Sequence, residues 1–426
     1  MKTKLTRRFW CALTLFSLTG QVAWIVENMY FNVFLYKMFS ASAGDISAMV
    51  SASAAAATVT TIFMGALSDR LGKRKAFICV GYVLWGISIF SFMLMRRDVL
   101  SALFPAAANV AALGVTLTIV LDCVMTFFGS TANDAAFNAW LTDSTDDSNR
   151  GAAEGINAMM PLLAILVVFG GFMAFDLNQE DSWTWIFAII GVVVTAVGLG
   201  GMHLLQDPPI RPTDTGYLEN ILHSFRPSTI GRHPMLYLTL AVYLVFNIAI
   251  QVFMPYLIIY YEVSLGMTDY VLIFAPAIIV ASVVTAIWGR VYDSKGFPFA
   301  VLTALGSLCV GLAGLYFLRD RLGVFVASLA MMCGYLAAGA VFSAKLRSHI
   351  PQGQAGMFQG VRIVGQVLLP GIIGPGLGAW VLRNAKTMVN GDGTTSFIPS
   401  ADIFLAALVV TLLVLALLPV VIKKRK

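Results

Sequence analysis

Apolar runs of about 20 residues or more recur from one end of this chain to the other, separated by short polar connections. That length crosses the hydrocarbon layer of a bilayer as a helix. Twelve such segments can be drawn, at about 9–36, 46–67, 76–95, 106–136, 152–175, 183–204, 235–261, 268–288, 298–318, 322–344, 361–382 and 401–422. The fourth is the least regular, since the stretch from Val99 to Leu141 is long enough to hold a kink or an interfacial piece near Pro105. The longest polar stretch, Gln206 to His233, separates spans six and seven, with Asp207-Pro208-Pro209 ending one helix and Pro234 opening the next. Within it Leu218, Ile221, Leu222 and Phe225 recur at helical spacing, which predicts a short amphipathic helix on the membrane surface or, alternatively, a tether without structure. The expected organisation is a bundle at 1–205, a connector at 206–233 and a second bundle at 234–426.

Composition agrees. Of 426 residues 58% are hydrophobic and only 12% charged, against about 25% charged in a soluble domain. That excludes a disordered chain and an ordinary cytosolic enzyme. The 37 glycines suit packed transmembrane helices. The first apolar run, Phe9 to about Phe39, is too long for a signal peptide and is expected to stay in the chain as span one. Cys11, Cys79, Cys123, Cys309 and Cys333 all lie in apolar runs, which predicts small buried hydrophobes rather than disulfides or a zinc site. Trp183 and Trp185, at a span end, are expected to anchor at the membrane interface.

The net charge of +6 is explained by where the cations sit. Twenty of the 28 lysines and arginines fall on the side of the N-terminus, including Lys2 to Arg8, Arg70 to Lys75 and the tail Lys423 to Lys426. Seven fall on the other side and Arg362 stands at a helix start. By the positive-inside rule both termini are cytoplasmic, in a multi-pass protein of the plasma (inner) membrane. The basic balance is topology, and no nucleic-acid partner is implied.

A repeat then divides the chain into halves. After span two the sequence reads Gly65-Ala-Leu-Ser-Asp69-Arg70-Leu-Gly72-Lys73-Arg74-Lys75, and after span eight Gly289-Arg-Val-Tyr-Asp293-Ser-Lys-Gly296. Glycine, aspartate and glycine recur at the same offsets in two cytoplasmic loops. A looser echo links Gly151–Gly155 with Gly356–Gly360. Parallel repeats of six helices place a substrate site at mid-membrane between halves that rock around it. The fold class expected is therefore an all-α membrane protein, twelve transmembrane helices in two pseudo-symmetric six-helix bundles.

The first loop, at Gly65, Asp69, Arg70, Gly72, Lys73 and Arg74, resembles the signature loop of the major facilitator superfamily. The resemblance extends over the whole chain through span count, central connector and repeated motif. It implies that Asp69 with the basic residues Arg70 and Arg74 latches the cytoplasmic side, the glycines allowing close helix approach. It also implies that the second copy, Gly289, Asp293 and Gly296, is the weaker latch, having Ser294 where the first has Arg70. A topology-setting basic loop is the alternative. Spans one, four, seven and ten would line the central cavity.

Ionisable groups at mid-membrane cost about 2.5–3.5 kcal/mol on insertion scales and need a reason to be there. On an ideal helix Gln21, Trp24, Glu27, Asn28 and Asn32 share one face of span one. They predict a substrate or coupling site, or a structural hydrogen-bond network. Trp24 would suit stacking on a sugar ring, or simply packing. Span four offers Asp122, with Thr126 and Asn133 on the same stripe, as a ligand or proton site or a pairing group. Asp134 and Asp143 look like partners for the basic loops. Span seven offers Asn247 and Gln251 before the hinge-forming Pro255, and span ten Ser328 and Tyr335. Arg362, with Gln359 and Gln366 nearby, either snorkels outward or pairs with Asp134, Asp143 or Glu154.

No phosphate-binding loop, metal helix motif or nucleophile elbow is present in the sequence, so an enzyme or ATP-driven pump is not expected, nor a cofactor. Proton-coupled drug antiporters of the superfamily carry a Gly-Pro motif in span five and an arginine in span four, both missing here. The stretches Asn133–Gly151 and Gly356–Gly378 are similar to sugar-type members, including the glycoside–pentoside–hexuronide:cation symporters. Those use acidic residues in span two, which Met49–Leu67 lacks, so a proton is favoured over sodium, carried on Glu27 or Asp122. The expectation is a cation-coupled importer of a small polar solute, a sugar or glycoside, for which a monomer suffices. An exporter of amphipathic compounds and a non-transporting membrane sensor are the alternatives.

Overall fold

The computed structural model describes residues 5–146, 149–207, 224–350, 358–391 and 393–423. Among these, eleven helices are long and apolar enough to cross a membrane. The longest, Val271–Phe317, runs 47 residues and is broken only at Gly296, whose φ of 80° and ψ of 173° are not helical. Counted as spans eight and nine on either side of that glycine, the total is twelve. The others are Arg7–Phe39, Ala43–Leu71, Arg74–Leu94, Val110–Asp143, Ala152–Phe172, Glu180–Leu204, Pro234–Ser264, Arg321–Ser348, Gly360–Leu382 and Asp402–Ile422. The irregularity expected before span four is a short helix, Arg97–Leu103, ahead of Pro105. Leu218, Ile221 and Leu222 lie outside the described residues; of the connector a one-turn helix, Pro227–Arg232, is described, opened by its proline. A small hairpin, β1 (Thr387–Val389) antiparallel to β2 (Thr395–Phe397), joins spans eleven and twelve.

Two compact units are present, one comprising residues 1–41 and 52–219, the other 42–51 and 220–426. In the first, span one packs against spans five and six, and span three against spans four and six. In the second, span seven packs against spans eleven and twelve, and the Val271–Phe317 helix against spans ten and twelve. The same scheme of partners is used twice. Small residues permit it: a Cβ on Gly198 of span six would stand 2.8 Å from the Val83 amide, and one on Gly311 of span nine 2.2 Å from that of Met331. Such spacing gives helices van der Waals contact where hydrocarbon supplies no hydrophobic drive.

Both copies of the repeated motif are helical for most of their length, which corrects the expectation of two loops. Gly65, Asp69 and Arg70 lie in the last turns of span two, and Gly289 and Asp293 in span eight. Only the second glycine of each copy breaks the helix, with φ of 61° at Gly72 and 80° at Gly296. A left-handed residue at a helix end is a glycine's place. The repeat therefore encodes a helix stop.

Two smaller expectations are also corrected. Trp183 is 1% exposed; its indole donates to the Leu177 carbonyl at 2.9 Å and its ring meets Phe34. It is a core residue, whereas Trp185 is 64% exposed. Cys11 is exposed rather than buried, and Cys123, Cys309 and Cys333 are partly so.

Candidate functional site

Span one is not a uniform helix. Val26–Tyr30 forms a π-turn, and Ser130–Phe137 of span four forms another. A π-turn inserts a residue and rotates the remainder of the helix about its axis, a feature concentrated at functional sites. It breaks the ideal-helix arc drawn for span one. Glu27 is buried, whereas Asn28 is exposed and donates to the Trp24 carbonyl at 2.7 Å. Asn32, buried, donates to the Asn28 carbonyl at 3.0 Å.

Glu27 sits in a polar knot of three spans. Its Oε1 accepts from Ser53 Oγ of span two at 2.7 Å and from Thr126 Oγ1 of span four at 2.8 Å. The two hydroxyls are 2.9 Å apart. Asp122, one turn before Thr126, is 1% exposed and stands within electrostatic reach of Glu27. Neither Glu27 Oε2 nor Asp122 Oδ1 has a hydrogen-bond partner among the described residues. Each hydroxyl has one hydrogen to give. Ser53 gives its hydrogen to Glu27, and a charge on one carboxyl opposes a charge on the other. The arrangement can hold a proton or accept hydrogen bonds from a polar solute.

Half-buried Gln21 lies six residues before Glu27 on the same span. Trp24 packs on Trp85 of span three, ring centres 5.0 Å apart, and both indole N–H groups are buried without a partner among the described residues. This is packing on one ring face, with the N–H left over for a ligand. Asp134 departs from expectation: it accepts from Ser130 Oγ at 3.0 Å, and no basic side chain among the described residues pairs with it. It faces inward toward Glu27 and Tyr82 because the π-turn carries it there.

The signature residues of the first unit close on themselves. Arg74, 5% exposed, pairs with Asp69, donates through Nε to Asp143 Oδ2 at 3.0 Å and through Nη1 to Ser68 Oγ at 2.6 Å. Arg70 is exposed, so the aspartate's partner within the unit is Arg74. In the second copy Asp293 is exposed and forms no ion pair among the described residues. The reason is legible, since Pro298 stands at the offset of Arg74.

In the second unit Asn247 donates to the Tyr243 carbonyl at 3.0 Å, and Gln251 lies against Gly374. Span seven is interrupted at Pro255 by a single 3₁₀ turn, Met254–Tyr256. Tyr335 stacks on Phe246 at 6.5 Å, and Tyr243 on Phe342 at 5.3 Å, an aromatic ladder. Ser328 is engaged structurally, bonded to the Tyr261 hydroxyl. Arg362 is half-buried near Arg347 and Tyr243. The mid-span carboxyl pair thus belongs to the first unit and the ladder to the second. No group of three His, Cys, Asp or Glu side chains among the described residues could hold a metal ion. Sequence reasoning misses Ser53 and Trp85; the signal for Ser53 is a hydroxyl recurring in the small-residue stretch Ser51-Ala52-Ser53 of an otherwise apolar span.

Comparison with known proteins agrees with this architecture. No curated protein matches the chain in sequence. Among solved structures, a D-xylose–proton symporter aligns with a TM-score of 0.71 at 15% identity, covering 96% of this chain and 97% of that one. A bacterial homologue of the human lysosomal transporter Spinster gives 0.69 at 16% identity, with 98% of each chain covered. The nucleoside transporter NupG gives 0.68 at 11% identity, covering 97% and 99%. At these identities the likeness is one of fold. The family profile reaches further, matching residues 10–375, and by it the chain belongs to the Major Facilitator Superfamily, a family of transporters rather than enzymes.

Proposed function

We propose that the protein moves a small polar solute, a sugar or glycoside, by alternating access coupled to a proton carried on the Glu27–Asp122 pair. The observation that carries the reading is a buried carboxyl, Glu27, held by the Ser53 and Thr126 hydroxyls with a second buried carboxyl, Asp122, one turn from Thr126. In the first unit Trp24, Gln21 and Asn28, and in the second Asn247, Gln251 and Tyr335, are the candidate amides and ring faces for a polyol. The fold shared with a D-xylose–proton symporter supports the solute class. Gly65, Asp69, Gly72, Arg74 and Asp143, with Gly289, Asp293 and Gly296, are the gating elements, joined by Arg70 and Arg362. The two bundles, 1–205 and 234–426, are the moving halves with 206–233 linking them. Both termini are cytoplasmic in the plasma (inner) membrane, and one chain suffices.

The test is uptake by proteoliposomes under an imposed pH gradient, across a panel of sugars, glycosides and nucleosides. Wild type accumulates its solute, and Glu27→Gln binds it yet does not accumulate it. Undiminished accumulation by Glu27→Gln would remove the proton role. The aromatic ladder of the second unit favours a second reading, export of amphipathic compounds; efflux of a lipophilic cation with no sugar binding would select it.

A further inference from the structure

A cavity of about 440 Å³ lies wholly within the second unit, whereas the carboxyl pair belongs to the first. It is formed where spans seven, nine and eleven end and span twelve begins. Tyr260, Arg319, Lys386, Ser400 and Asp402 line it beside apolar Leu265, Val381 and Ile398. Tyr260 opens a π-turn, Tyr260–Ser264, is 2% exposed, and its hydroxyl has no partner among the described residues. A buried hydroxyl left unpaired is a cost that a ligand would relieve.

Arg319 stands within electrostatic reach of that hydroxyl. Its guanidinium is held in place: Nη1 donates to the carbonyls of Leu315 and Leu318 at 3.0 and 2.7 Å, and Nη2 to that of Tyr316 at 2.8 Å. Three of five N–H donors close the end of span nine, and Nε–H with the second Nη2 hydrogen is left over. That pair of donors matches two oxygens of a phosphate or carboxylate. Asp402, the one carboxylate of the lining, has its Oδ2 taken by Ser400 Oγ at 2.7 Å, and Lys386 leaves the balance cationic.

We infer that this cavity is a binding site for a phosphate group, held by Arg319, Lys386 and the Tyr260 hydroxyl. Donors from three side chains lining one cavity suit the several oxygens of a phosphate better than the two of a carboxylate, and the apolar wall suits an ester tail. The phosphate has two sources, a phospholipid headgroup or a soluble phosphate.

The test uses the full-length purified chain, delipidated, with Tyr260→Phe and Arg319→Gln beside wild type. Tyr260→Phe removes a hydroxyl that bonds to nothing among the described residues, so its folding is expected to match wild type. One arm measures retention of added phosphatidylglycerol by native mass spectrometry; the other measures thermal stabilisation by inorganic phosphate against chloride at equal ionic strength. Wild type is expected to respond in one arm, and both variants to lose that response by about threefold or more, a loss near 0.7 kcal/mol. A lipid response names the headgroup as ligand, and a response to inorganic phosphate names a soluble one. No response in wild type, or equal responses in all three proteins, overturns the assignment.

Discussion

Thr126 Oγ1 stands 2.8 Å from Glu27 Oε1, a bond that ties span four to the π-turn of span one. Replacing the threonine by valine keeps its shape and deletes one of the two donors on that oxygen. Thr126→Val is expected to lower stability by about 1 kcal/mol, read as a small fall in Tm in detergent, with Ser53 still in place. An unchanged Tm would mean that the hydroxyl bonds elsewhere.

Ser53→Ala isolates the coupling pair. Both carboxyls remain but one donor to Glu27 is gone. Accumulation driven by a pH gradient is expected to fall about tenfold, the equivalent of one hydrogen bond at a transition state. Solute exchange at equal pH on both sides should persist near the wild-type rate. Equal loss of both would assign Ser53 to solute binding.

Arg74 neutralises two aspartates at once. Arg74→Gln leaves Asp69 and Asp143 facing each other, with an expected cost of about 2 kcal/mol, reduced from the fully buried case because both carboxylates reach water. Thermal unfolding measures it. The double variant with Asp143→Asn should recover part of the loss, and Arg70→Gln, at an exposed position, should lose little.

Gly311 and Gly306 make a matched pair on span nine. A Cβ at Gly311 meets the Met331 backbone, while one at Gly306 meets nothing within 4 Å. Gly311→Ala is expected to cost about 1–3 kcal/mol through overpacking, and Gly306→Ala to be neutral or mildly stabilising. Tm and monodispersity of the two variants decide it.

Outside the membrane spans, the Arg96 side chain, helped by the Val99 amide, holds Asp98 below the usual carboxylate range. A depressed pKa in the folded state adds stability above the unfolded value of about 3.9, and that contribution is lost as pH falls through the folded value. The Tm difference between wild type and Arg96→Gln is therefore expected at pH 7 and should shrink below about pH 4.

The spans are legible because about 20 apolar residues in a row admit few other readings, and the membrane signal outlasts errors of several residues at each end. The helix stops at Gly72 and Gly296 can be found because a glycine recurs at a fixed offset. The two π-turns cannot: Val26–Tyr30 contains neither glycine nor proline, and hydrogen-bond slippage of one residue leaves no compositional trace. An ideal helix therefore gives Asp134 the wrong partners. Trp183 misleads for a related reason, as an indole at a span end looks alike whether its N–H meets headgroups or the Leu177 carbonyl. Glu27 and Asp122 stand out because charge is scarce in these spans. Ser53 does not, because a serine among alanines is cheap to place anywhere in a helix.

Spans eight and nine meet at one residue. Between most other neighbouring spans a few residues of turn or loop can absorb a tilt, but the Val271–Phe317 run has no slack except the torsions of Gly296. A rotation of span eight about its axis reaches span nine through the torsions of Gly296 alone and, through the close approach at Gly311, span ten. The helix break works as a rigid elbow, and lengthening it by two or three residues would let one arm turn without the other.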